Sequence, residues 1–244
     1  MRIFFLFIFI FITQSLFSQI EILKNGFNSL GEIDVAFSKI INTKPVGQKK
    51  MESISYSDVQ GSPFWNREWN AAIFVLTNGS MAKSLKAKLD LFVNEVLFVN
   101  SSTTEMSCEN TQIKKIYFFK GTDTTTVMAV FESLLDVASH NNFYYKVLNE
   151  GKIRLLELKR VLVKENEYNP LVGKKEYSFY SKINYAIADN EKVIPIKSLN
   201  QSNIFSAIPQ LEEYKEWLKQ NNIKLKNELD ITTFFSYLNS KEKK

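Results

Sequence analysis

Between residues 70 and 197 the chain is broken by tight-turn residues at intervals that antiparallel strands can use and parallel strands cannot, since a parallel return needs a crossover of a dozen residues or more. Residues 72–77 form a β-branched and aromatic run, followed directly by Asn78-Gly79. Residues 81–91 then alternate, with Leu85, Ala87, Leu89 and Leu91 on one side and Lys86, Lys88 and Asp90 on the other. An Asn-Gly pair between two such runs marks a hairpin in which both central residues take positive φ. A turn near Val93-Asn94 leads into residues 95–99, and after a polar loop residues 114–119 and 124–131 flank Lys120-Gly121-Thr122-Asp123. Together these runs predict a β-meander of about five strands.

Two further hairpins follow. Residues 143–148 and 152–163 surround Asn149-Glu150-Gly151, and the offset of Leu155 from the pair Leu156 and Leu158 implies burial on both faces or a bulge. Residues 164–174, with Asn169-Pro170 and Gly173, read as a loop. Residues 177–188 and 193–196 close the last hairpin around Asp189-Asn190-Glu191. At about Ser198 the apolar period lengthens to that of a helix. Ser198 and Gln201 have capping-box spacing, and Pro209 suits a first helical turn. Leu211, Tyr214 and Leu218 share one apolar face; Ile231, Phe234, Phe235 and Leu238 form another behind Asn227 and Asp230. The expected fold class is therefore α+β: an antiparallel β-rich body with a small C-terminal helical segment.

The chain opens with Met1-Arg2-Ile3, an apolar run over residues 4–12, and a polar exit ending Phe17-Ser18-Gln19, the three parts of a cleaved secretory signal peptide. The run is shorter than the ~20 apolar residues a membrane span requires. The domain scheme is a signal peptide at 1–18, a segment at 19–60 whose structure stays open, the β-rich body at 61–197, helices at 198–240 and a charged tail at 241–244. In the open segment Ile33, Val35 and Phe37 alternate as in a strand, while Leu30, Ile33, Phe37 and Ile40 fit a helical stripe. Loss of Arg2 lowers the net charge from +5 to +4. So small an excess gives no footprint for nucleic acid, and export argues further against that partner. No transmembrane span is expected after cleavage.

The chemistry-bearing residues are few. His140 is the single histidine, which removes multi-histidine zinc sites and any arrangement of two imidazoles. It sits in Ser139-His140-Asn141-Asn142, a polar stretch that reads as a solvated loop, although Asp136 lies four residues before it. Cys108, the single cysteine, reads as a plain, partly buried residue. Glu165-Asn166-Glu167-Tyr168-Asn169 gathers acids beside an aromatic, but a polar turn accounts for it; Gly61-Ser62-Pro63 lacks the spacing and the lysine of a phosphate cradle. No catalytic or metal-ligating residue is assigned, and no cofactor is expected. The unusual local composition is Phe64-Trp65-Asn66-Arg67-Glu68-Trp69: Phe64, Trp65, Arg67 and Trp69 would form an aromatic binding platform if exposed, or anchor the entry to the sheet if buried.

The Gly-Ser-Pro-aromatic opening Gly61-Ser62-Pro63-Phe64, the hairpin at Asn78-Gly79, the turn Asn94-Glu95-Val96 and the later Tyr145-Lys146-Val147-Leu148-Asn149-Glu150-Gly151-Lys152 resemble a group of uncharacterised exported proteins of Bacteroidota, from which the chain departs at Trp65 and Trp69. The resemblance implies an envelope location, periplasmic, outer-membrane-associated or secreted. It implies no activity. The expectation for function is a non-catalytic binding or structural module with a protein or glycan partner of the envelope. Two alternatives stand beside it: a carboxylate-dependent hydrolase of envelope glycan, marked by a deep cleft holding two acids, and an outer-membrane assembly or accessory factor, marked by an exposed sheet edge.

Overall fold

The computed structural model describes residues 44–45, 50–51, 54–100, 102–136, 139–166, 175–190 and 192–241. The leader at 1–18, most of the open segment at 19–60, the tail at 242–244, and Glu167, Tyr168, Asn169, Pro170, Gly173 and Glu191 lie outside the described residues. Ten strands carry the body: β1 (Asn70–Leu76), β2 (Met81–Asp90), β3 (Glu95–Val99), β4 (Glu105–Glu109), β5 (Ile113–Lys120), β6 (Asp123–Asp136), β7 (Asn141–Val147), β8 (Ile153–Glu165), β9 (Tyr177–Asp189) and β10 (Lys192–Ile196). With the two-residue pieces Lys44–Pro45 and Val59–Gln60 they form one sheet of twelve strands, in the order Lys44–Pro45, β4, β3, β2, β1, β5, β6, β7, β8, β9, β10. All these pairings are antiparallel. The exception is Val59–Gln60, which lies parallel to the start of β9. The helical end comprises α1 (Gln201–Ala207), a 3-10 turn (Pro209–Tyr214), α2 (Lys215–Gln220) and α3 (Glu228–Lys241).

The antiparallel body and its helical end are as the sequence predicts, with four corrections of detail. The first concerns topology. β4 lies in what reads as a polar loop, and β5 pairs with β1 instead of β4, so a crossover interrupts the meander. Second, only Gly79 of the Asn78-Gly79 turn has positive φ, at 85°. The Gly79 amide donates to the Leu76 carbonyl and the Leu76 amide to the Ser80 carbonyl, closing a three-residue loop with glycine in the left-handed position. Asn78 accepts from the Ser80 amide and hydroxyl, which holds it out of the left-handed region.

Third, Leu85 is 51% exposed instead of facing the core with Ala87 and Leu89. Asn70 pairs with Ala87 but Ala72 with Ser84, so β2 carries one extra residue there. The Ser84 hydroxyl accepts from the Lys86 amide and donates to its carbonyl, fixing the bulge and ejecting Leu85. Fourth, α1 is capped by Asn200 and not by Ser198: the Asn200 side chain accepts from the Asn203 amide at 2.8 Å, while Ser198 braces both asparagines.

The sheet curls. One face encloses Phe74, Phe98, Phe118, Phe131, Tyr144 and Val161, from strands at both ends of the curl. Closure comes from the turn between β2 and β3, where Asn94 (φ 58°) reaches the edge of β7. Further along β8 and β9 the same face is covered by the helices: Ile153, Leu155 and Ile187 pack with Ile204, Phe205, Ile231, Phe234 and Phe235. Leu156 and Leu158 face the opposite way, buried with Tyr145, Val147, Ala186 and Ala188, so β8 is covered on both sides as its offset leucines imply. The helices are clamped by Asn239, which accepts from the Ile153 amide and donates to the carbonyls of Ile153 and Glu150.

Candidate functional site

The structure separates the aromatics of the Phe64–Trp69 stretch. The Trp65 amide donates to the Leu89 carbonyl and the Leu91 amide to the Pro63 carbonyl, so residues 63–65 run along the end of β2. This pairing turns the Trp65 ring inward, 5.3 Å from Phe118 and 5.1 Å from Phe131. Phe64 and Trp69 stay half-buried on the outside and flank Lys88, whose ammonium lies 5.1 and 4.6 Å from their ring centres. Arg67 is exposed beside them. The Trp65 ring therefore packs on Phe118 and Phe131 while the Trp69 ring lies by Lys88, and the outer pair already holds a cation of its own chain.

His140 is exposed in a turn at φ 55°, and the Asp136 carboxylate accepts from the Ser139 hydroxyl at 2.7 Å. Cys108 is buried beneath the curl, and burial, with Glu109 and Glu95 nearby, pushes its thiol up to about 12. Glu165 pairs with Lys175 at 2.9 Å on the surface. The half-buried carboxylate Glu132 is held between Lys115 and Arg154, each at 3.2 Å. Two hollows, of about 390 and 560 Å3, are open and lie on the helical end against Lys215.

A feature of a different kind lies on β9. Residues 180–184 are exposed at every position, including Tyr180 and Ile183, so among the described residues none covers either face of the sheet there. The outer edge of β9 pairs with Val59–Gln60 as far as Ser178 and with β10 from Tyr185 onward. Between them no described residue pairs with it. Two bonds fix which backbone groups point out: the Asn166 amide donates to the Glu176 carbonyl, and the Asn190 amide to the Lys152 carbonyl. Even-numbered residues of β9 thus turn their backbone toward β8, and odd-numbered residues turn theirs outward. Pro195, which has no N–H, stands opposite Ala186, as that phase requires. Gly61 packs over the Phe179 backbone, where an added Cβ would come within 3.4 Å of the carbonyl oxygen. The groups that no described residue pairs are therefore the N–H and C=O of Ser181 and Ile183, on an edge of ~17 Å for five strand residues.

The surrounding side chains are cationic. Residues 158–164 and 178–184 contain Lys159, Arg160, Lys164 and Lys182 and no carboxylate. Arg160 stands directly across from Lys182, an arrangement of like charges that costs ~0.5 kcal/mol in a sheet. Arg160 rests on the Phe143 ring at 4.4 Å. A signal for this site stands in the sequence: Tyr-Ser-Lys-Ile-Asn at 180–184 breaks the alternation a half-buried strand shows.

No family model, curated protein or solved structure matches the chain. Among the described residues no helix is long and apolar enough to cross a membrane, and no three His, Cys, Asp or Glu residues gather as a metal site.

Proposed function

We propose that this chain is an exported, non-catalytic assembly or accessory factor of the bacterial envelope, the alternative that an exposed sheet edge marks, and that it takes an extended segment of a partner protein as an added strand along β9. The supporting observation is the open edge at Ser181 and Ile183, exposed on both faces and bounded at each end by strands that already pair. Strand addition gives affinity through main-chain hydrogen bonds and leaves selectivity to alternate side chains. A sheet edge left bare is a hazard for self-association, which proteins blunt with charge; Lys182 on this edge serves that role until a partner arrives. Export rests on the leader at residues 1–18, and N-terminal sequencing of the chain recovered from the envelope should begin at Gln19.

The test is capture of envelope proteins by the tagged chain and by its Ser181→Pro and Ile183→Pro variants. Proline removes one outward N–H in each and spares the ladder to β8. A protein captured by the parent and by Trp69→Ala, but by neither proline variant, supports the reading. A capture indifferent to both prolines, or no capture, would overturn it.

A further inference from the structure

We infer that the strand taken up by β9 is acidic, with carboxylates at alternate positions, an inference that rests on the strand-addition reading above. Cross-strand partners share a face, so Arg160, Lys182 and Lys164 (opposite Ser178) lie together on the side that bears Tyr180. An added strand in register with residues 180–184 would send every second side chain to that side, next to Lys182 and within one strand of Arg160. None of the three has an ion-pair partner among the described residues. A carboxylate there would relieve the opposition of Arg160 and Lys182 and gain a charge-assisted contact. The Arg160 guanidinium already rests over the Phe143 ring at 4.4 Å and so loses little freedom on binding.

The same charges decide against a second copy of this chain. Pairing two β9 windows about a two-fold axis through their midpoint sets Lys182 directly opposite its own copy, with an Arg160 one strand behind each, adding repulsion to a pair already opposed. A polyanion such as a sulfated glycan would satisfy the cations but leave the backbone groups of Ser181 and Ile183 unpaired.

The experiment titrates the full chain with three probes: an eight-residue peptide alternating Thr and Glu, the same peptide with Gln for Glu, and dextran sulfate. The expected result is about tenfold tighter binding of the Glu peptide at low salt, a margin lost in Lys182→Gln and narrowed by 0.5 M salt. Ser181→Pro should abolish binding of both peptides, and thermal melts of both variants establish that they fold. Equal binding of the Glu and Gln peptides, both sensitive to Ser181→Pro, would overturn the acidic preference and leave strand addition standing. Failure of both peptides to bind in a proline-sensitive way would overturn both. Dextran sulfate matching the Glu peptide, with neither affected by the proline, would reduce the site to a cationic surface and also overturn the inference.

Discussion

Asn94 substitutes for a strand residue beside Tyr144: its side chain accepts from the Tyr144 amide at 3.2 Å while donating to the Asn142 carbonyl at 2.8 Å. β7 pairs with β8 only at Lys146 and Val147, so without Asn94 the first part of its edge would lack these bonds within the curl. Asn94→Ala should cost about 3 kcal/mol, combining the lost bonds to a buried amide with the strain of alanine at φ 58°. Asn94→Gly removes the strain but not the loss and should cost about 1–2 kcal/mol. Urea melts of both variants check this: equal costs would contradict the strain at φ 58°, and an Asn94→Gly variant as stable as the parent would contradict the edge-bonding role.

The two tryptophans should behave differently. Trp65 packs on Phe118 and Phe131 inside the curl, so Trp65→Ala should destabilise by about 3 kcal/mol. Trp69 contacts Lys88 on the outside, and Trp69→Ala should cost about 1 kcal/mol or less. The ranking is read from chemical denaturation of the single variants.

Gly151 has φ 127°, and a Cβ added there would lie 2.3 Å from the Cγ of Asn239. Gly151→Ala should therefore cost more than about 3 kcal/mol by driving α3 from the β7–β8 hairpin. In an Asn239→Ala background the same substitution should cost at least about 1 kcal/mol less, because the two residues share one contact. A double-mutant cycle measures this, and additivity would show that the helices are not clamped there.

Cys108 should resist modification. Burial, then Glu109 and Glu95, raise its pKa from 9.0 to about 12. Ellman's reagent at pH 8 should leave the folded chain unlabelled and label one thiol in 6 M guanidinium. The raised pKa favours the fold while the thiol is neutral, so this contribution is complete below pH 9 and is lost as pH rises toward 12. Cys108→Ala should flatten that alkaline decline, as melts between pH 8 and 11 would register.

The hairpins were legible because their turns are written locally: Asn149-Glu150-Gly151 and Asp189-Asn190 name the places where the chain must reverse. The helical faces were legible because Ile231, Phe234, Phe235 and Leu238 repeat at helical spacing and are all buried. Which strands become neighbours was not legible. β5 returns to β1 past three intervening strands, a pairing decided by burial across the whole sheet and by no residue near the crossover. The bulge at Ser84 escaped for a related reason, since a hydroxyl bonding two residues on leaves no mark in an apolar pattern. The open edge was half visible: Lys182 and its exposed neighbours stand in the sequence, but the gap between Val59–Gln60 and β10 exists only once three distant segments meet on one strand.

Amide hydrogen exchange along β9, followed residue by residue by NMR in the free chain, tests the open edge most directly. The Ser181 and Ile183 amides should exchange within the experimental dead time, while those of Tyr180, Lys182 and Asn184, bonded to β8, exchange more slowly. That alternation should disappear when the Thr-Glu peptide is added, as Ser181 and Ile183 become protected. Protection of Ser181 and Ile183 in the free chain equal to that of their neighbours would mean the edge is already covered, and would contradict the binding role proposed for it.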